Sequence, residues 1–239
     1  MRGHVLLALL ALLSLLMLAV PASAIAAAKA PPRGDWTHVV AATPAGGFVL
    51  GNPKAKVKLV EYGSLSCPHC RAFDQGGVPT LLAKYVRSGQ VSWEFRNYVR
   101  DPVDLTAALI ARCNGARSFF PLARAIFKDQ PVWFGKAIAA PKDQLQKLAD
   151  MPPQQQFVAM AKLVGLDAWA VAHGLPAAKT NQCLANVKSI DQLVQMTGDA
   201  TKQHPDFQGT PTFLINGGLV KDVGTWDALE PKLKAALGG

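Results

Sequence analysis

Val57-Lys58-Leu59-Val60-Glu61-Tyr62-Gly63-Ser64-Leu65-Ser66-Cys67-Pro68-His69-Cys70 decides the fold. Its first six residues are β-branched and mostly apolar, as a central strand buried on both faces should be. Gly63 to Ser66 forms a short loop. Pro68 suits the first turn of a helix, where its missing N–H leaves nothing unpaired. The helix is expected to continue through Phe73, past a weak point at Gly76-Gly77, to Val86, with Gly89 ending it. Val91 to Val99 then alternates like a half-buried strand. Strand, helix and strand in this order make the unit of a parallel sheet.

On the C-terminal side the pattern turns helical from Asp104 to about His204, with apolar stripes at Leu105, Leu109, Ile110 and Cys113 and at Phe119, Leu122, Ala123 and Ile126. Cys183, Val187, Ile190 and Val194 recur at helical spacing and predict one long helix from Lys179. Strand signals return at Pro211 to Asn216 and, after Gly217-Gly218, at Leu219-Val220; Trp226 to Leu237 closes as a helix. On the N-terminal side Trp36 to Val40 reads as a short edge strand after a loose tail rich in Ala, Pro and Gly. The predicted organisation is α/β: residues 52–103 and 204–239 form one domain around a mixed central sheet. Residues 104–203 are an inserted helical domain with its connecting long helix, and 25–51 an N-terminal extension. Trp93, Trp133, Trp169 and Trp226 are expected in cores, and His38, His173 and His204 at the surface. No internal repeat is visible.

Composition narrows the class. The chain has 239 residues, half of them hydrophobic, which excludes disorder, and shows neither the period nor the bias of a fibrous protein. Lys and Arg number 25 against 16 acids, a formal charge of +9, yet no basic cluster with interleaved aromatics exists. Nucleic acid is therefore not an expected partner. Met1 to Ala24 has the parts of a cleavable secretory signal peptide: Arg2, the apolar run Val5–Val20, then Pro21-Ala22-Ser23-Ala24 as breaker and cleavage site. The run is short for a spanning helix. Export places the four cysteines in an oxidising compartment, where thiols pair.

The chemistry centres on Cys67 and Cys70. A cysteine at a helix start meets unpaired backbone N–H groups and the positive end of the helix dipole, which stabilise a thiolate. Pro68 and His69 between the two are the tuning residues, His69 adding a donor or a positive charge. A stabilised thiolate weakens the disulfide relative to the dithiol, so such a pair tends to give its disulfide away. A c-type haem would need His where Arg71 stands, and a zinc site would need two more ligands near by. No metal and no cofactor are therefore called for.

Cys67-Pro68-His69-Cys70, the preceding Val60 to Ser66, and Gly209-Thr210-Pro211-Thr212-Phe213-Leu214-Ile215-Asn216-Gly217 together resemble the DsbA family of bacterial periplasmic thiol:disulfide oxidoreductases. The resemblance runs from about Trp36 to Leu237. It implies a thioredoxin-like fold with an inserted α-helical domain, Cys67 as the exposed, attackable sulfur and Cys70 as its buried partner. It also implies a cis Pro211 opposite the cysteines, with Thr210 offering its backbone to an extended client. The partners implied are reduced, newly exported proteins and a DsbB-like, quinone-linked membrane oxidase; a monomer in the periplasm is expected. Thr210 departs from the Val usual in the oxidases and matches isomerases of the DsbC type. Disulfide isomerase or reductase activity is thus the alternative, with an exported copper-binding or chaperone module behind it. Glu61, six residues before Cys67, reads either as a salt-bridged carboxylate or as a buried acid serving the Cys70 thiol.

Cys113 and Cys183 lie on apolar stripes of two predicted helices, so a structural Cys113–Cys183 disulfide inside the helical domain is expected. The rival is a pair of small buried hydrophobes.

Overall fold

The structure, a computed structural model, describes residues 34–239; the signal peptide read at 1–24 lies outside them. Six strands form one mixed sheet in the order β1-β2-β4-β3-β5-β6. The strands are β1 Val40–Ala42, β2 Phe48–Leu50, β3 Val57–Gly63, β4 Val91–Asn97, β5 Thr212–Ile215 and β6 Gly218–Val220. Only β3 and β4 pair in parallel, with Glu61 opposite Phe95, and every other pair is antiparallel. The α/β reading with a mixed central sheet is what the structure has.

Between β3 and β4 run α1 Pro68–Gly76, α2 Val78–Thr80 and a π-helical stretch Leu81–Val86. Gly77 keeps right-handed helical dihedrals, so the chain continues through the weak point. A Cβ at Gly77 would stand 2.8 Å from Trp226 Cβ, and the close approach of the last helix explains the glycine. That helix, α11, spans Trp226–Leu237.

Eight helices separate β4 from β5: α3 Pro102–Arg112, α4 Ala116–Lys128, α5 Gln130–Ala139, α6 Lys142–Ala149, α7 Pro153–Val164, α8 Leu166–Ala172, α9 Ala177–Leu184 and α10 Val187–Gln203. α3 is buried on every side from Val103 to Ala111 and joins the inserted helices to the sheet. Arg112 crosses the same boundary, donating to Gly46 O at 2.8 Å and Asn97 Oδ1 at 3.1 Å with its guanidinium over Phe48.

Two expectations fail. The single long helix from Lys179 is two, broken at Ala185-Asn186, because Asn186 caps a new start by accepting from Ser189 N–H at 3.1 Å. The restart shifts the helical phase. Val187 and Val194 face solvent at 38% and 55% exposure, and Ile190, Leu193, Met196 and Ala200 form the inner stripe instead. Trp36–His38 is a 3₁₀ turn rather than strand, since Asp35 accepts from the Thr37 N–H and hydroxyl. The strand begins at Val40, and β2 extends the sheet with Phe48 stacked on Phe119 at 4.5 Å. Trp93 and Trp133 are fully buried, whereas Trp169 and Trp226 are half-buried. His38 and His173 are exposed and His204 half-buried. No helix among the described residues is long and apolar enough to cross a membrane.

Candidate active site

β3 runs through the centre of the sheet and delivers Ser64 to Cys67 at its end. Cys67 is the N-cap of α1, extended at φ −82°, ψ 123°, and Pro68 fixes the first helical position. Pro68 and His69 are exposed, and Cys70 is turned fully inward. Both thiols are free. Cys67 is itself covered, at 2% exposure, which corrects the expectation of an open sulfur. The loop before β5 closes over it, and the Cys67 thiol donates to the Thr210 carbonyl at 3.2 Å. The Thr210–Pro211 peptide is cis. Beside this loop lies a cavity of about 390 Å³, lined among others by His69, Gly209, Thr210, Pro211, Val220 and Val223.

The two sulfurs are driven apart electrostatically. Donation from Cys70, against the cost of burial and with help from the Thr210 side chain and the N–H groups of Cys70 and His69, brings Cys67 down to about 4. Burial pushes the Cys70 thiol well above its usual value, and its donation to Cys67 adds to this. Thr210 Oγ1 is buried with no hydrogen-bond partner among the described residues. A donor left over in this way is available to a thiolate.

Glu61 is 1% exposed and forms no ion pair among the described residues; Trp93 Nε1–H donates to its Oε2 at 3.1 Å. Burial raises its carboxyl well above the usual range, and the charge of Asp74 adds to this. Asp74, on α1, is lifted to about 6 by burial despite Arg124 Nε at 3.3 Å from its Oδ1.

Two further side chains reach the site from the inserted helices. Asp104 and Gln130 hold the backbone of residues 64–67. Burial raises Asp104 to about 7, opposed by the Ser64 hydroxyl. The sequence signals a helix start at Asp101 to Asp104, but nothing local to it signals a contact with a loop some 40 residues earlier. Cys113 and Cys183, half-buried, are joined at 2.03 Å between α3 and α9, far along the chain from Cys67. Among the described residues no group of three or more His, Cys, Asp or Glu is arranged to hold a metal.

A pair of thiols at a helix start, one acidic and one held protonated, can exchange disulfides with another protein. Known proteins agree with that chemistry. A thioredoxin family model matches residues 43–235. The chain is similar to a protein-disulfide isomerase of Novosphingobium aromaticivorans, at 33% identity and TM-score 0.77 over 80% of this chain and 97% of that one. The α-DsbA1 of Wolbachia pipientis shares the fold at TM-score 0.65 and 22% identity, over 82% of this chain and 92% of its own. A sequence relative in Rickettsia prowazekii, named for protein-disulfide oxidoreductase activity, is 31% identical over 71% of this chain and 54% of its own length. The chain thus spans about half the length of the Rickettsia relatives it matches.

Proposed function

Because the chain belongs to the thioredoxin family and has the fold of its DsbA-type members, we propose that it is a protein-disulfide oxidoreductase acting as a dithiol oxidase on exported proteins. A client thiolate attacks Cys67 Sγ of the oxidised enzyme, forming a mixed disulfide and releasing Cys70 as a thiolate that takes up a proton. The client's second thiolate then attacks its own sulfur in that bond and expels Cys67. The client leaves with a disulfide, two electrons have passed to the enzyme, and Cys67 remains a thiolate. We assign Glu61, whose charge is felt at the Cys70 thiol, the exchange of the proton that Cys70 gains or loses, and Thr210 and Pro211, which border the cavity, the binding of an extended client.

The observation that carries this reading is the unequal footing of the two sulfurs. Cys67 sits among N–H donors at a helix start and Cys70 is sealed beneath it. The reduced enzyme needs an oxidant, and we assign this to a quinone-linked membrane protein of the DsbB type. The signal-peptide pattern at 1–24 and the Cys113–Cys183 bond support an oxidising, extracytoplasmic location, the periplasm in a two-membrane cell.

Disulfide isomerisation is the second reading, favoured by Thr210 before the cis-proline and by the name of the Novosphingobium relative. The two separate in one experiment. Oxidised protein is mixed with a fully reduced multi-cysteine client, and reduced protein with the same client scrambled. Rapid stoichiometric oxidation with poor unscrambling is expected. Efficient unscrambling by the reduced protein with slow oxidation would reverse the assignment.

A further inference from the structure

The loop that carries the redox pair is gripped from outside its own sheet. Asp104, in the first turn of α3, is buried and accepts four hydrogen bonds. Its Oδ1 takes Leu65 N–H at 2.8 Å and Ser66 N–H at 3.2 Å; its Oδ2 takes the Ser64 hydroxyl at 2.7 Å and Arg100 N–H at 3.0 Å. From the start of α5, Gln130, only 4% exposed, donates through Nε2 to Leu65 O at 2.7 Å and Cys67 O at 3.0 Å. Within the loop, Ser64 N–H points at Cys70 Sγ at 3.5 Å and Cys67 N–H at Ser64 O at 3.1 Å.

We infer that Asp104 and Gln130 are positioning residues for disulfide exchange, through which the inserted helices hold residues 64–67 in the shape that points Ser64 N–H at Cys70 Sγ and sets Cys67 at the start of α1. This rests on the proposed redox function of Cys67 and Cys70. Neither side chain is hydrogen-bonded to a sulfur, so each acts through the loop. The chemistry of the acceptor supports the role. A carboxylate accepts on both oxygens, whereas an amide at the same place would turn an NH₂ group toward two donors. The arrangement also explains why a thioredoxin-like sheet and a separate set of helices are needed together. The sheet supplies the cysteines and the helices fix the angle at which α1 begins.

Charge and grip predict opposite signs. At neutral pH, where Asp104, raised to about 7, is partly ionised, removing its negative charge would by itself favour the Cys67 thiolate and raise the constant for reduction. Loosening the loop withdraws Cys67 from the N–H donors at the start of α1, which raises its midpoint and lowers that constant. The experiment uses the full chain and its D104N, Q130M and S64A variants; neither Q130M nor S64A changes a charge. Thiolate absorbance gives the Cys67 midpoint, equilibrium with glutathione at neutral pH gives the redox constant, and circular dichroism checks helix content. In D104N and Q130M the midpoint is expected to rise, and the constant for reduction to fall about fivefold, the factor one lost hydrogen bond carries. S64A, which removes the 2.7 Å bond to Asp104 and the 3.2 Å contact with Ser66 Oγ, shifts both in the same direction and by less. A larger constant for reduction at neutral pH in D104N with Q130M unchanged would leave Asp104 as a mere charge, and wild-type values in all three with native helix content would overturn the inference. Should D104N fail to fold, Q130M and S64A decide. A wild-type Cys67 without an acidic midpoint would instead sink the redox function, and this inference with it.

Discussion

Following the protein's equilibrium with glutathione as pH changes separates the proposed site from an ordinary pair of thiols. Reducing a disulfide to two thiols takes up two protons. Where Cys67 stays a thiolate and only Cys70 keeps its proton, one is taken up. Cys67 at about 4 and Cys70 well above the usual thiol value put this protein in the second case across mildly acidic and neutral pH. Glutathione, with ordinary thiols, takes up two. The constant for reducing the protein with glutathione should then rise about tenfold per pH unit, close to 30 mV for a two-electron couple. Between about pH 5 and pH 7 that is on the order of a hundredfold. The sign agrees with folding linkage. A thiol held below its unfolded value of 9.0 stabilises the folded, reduced form above its folded value, and that stability is lost as pH falls through about 4. At about 1.4 kcal/mol per unit, the reduced form gains at most about 4 kcal/mol by pH 7 relative to strong acid. Acid-quenched alkylation and mass analysis count the two forms at each pH. A constant that does not change with pH in this window would refute an acidic Cys67.

Thr210→Val removes the buried, unpartnered hydroxyl beside Cys67, so the thiolate midpoint should rise and the oxidising power fall, read by absorbance titration and the glutathione equilibrium. In Glu61→Gln no carboxylate has to be charged inside the core. Its group is raised in the folded state, so it costs stability as pH rises above the ordinary carboxyl range, and urea unfolding should find the variant more stable at neutral pH yet slower in the exchange steps that protonate or deprotonate Cys70. Replacing Cys113 and Cys183 together by Ser opens a link across 70 residues, which the chain-entropy model values at roughly 4 kcal/mol as an upper figure; denaturant melts should show that loss while the Cys67 midpoint stays where it was.

What could be read from the sequence divides by the range of the interactions. β3, the helix start at Pro68 and β4 were legible because alternation, a proline at the first helical position and a cysteine pair all lie within a few residues of one another. β5 and the Thr210-Pro211 turn were legible for the same reason, helped by the family resemblance. The break at Asn186 was missed because apolar spacing through Val187 and Val194 outweighed a capping residue that changes the helical phase. The covering of Cys67 and the roles of Asp104 and Gln130 had no local signal. Thr210 reaches Cys67 across 143 residues, and the bonds of Asp104 and Gln130 to residues 64–67 cross roughly 40 and 65. A buried carboxylate that accepts donors from another element looks, in its own neighbourhood, like an ordinary first-turn Asp. Such residues become visible only once the backbone groups of the reactive loop are asked, one by one, where their hydrogen bonds go. Leu65 N–H and C=O, Ser66 N–H and Cys67 C=O go to the inserted helices, and that is the ground on which we propose that the insertion takes part in the chemistry of this site.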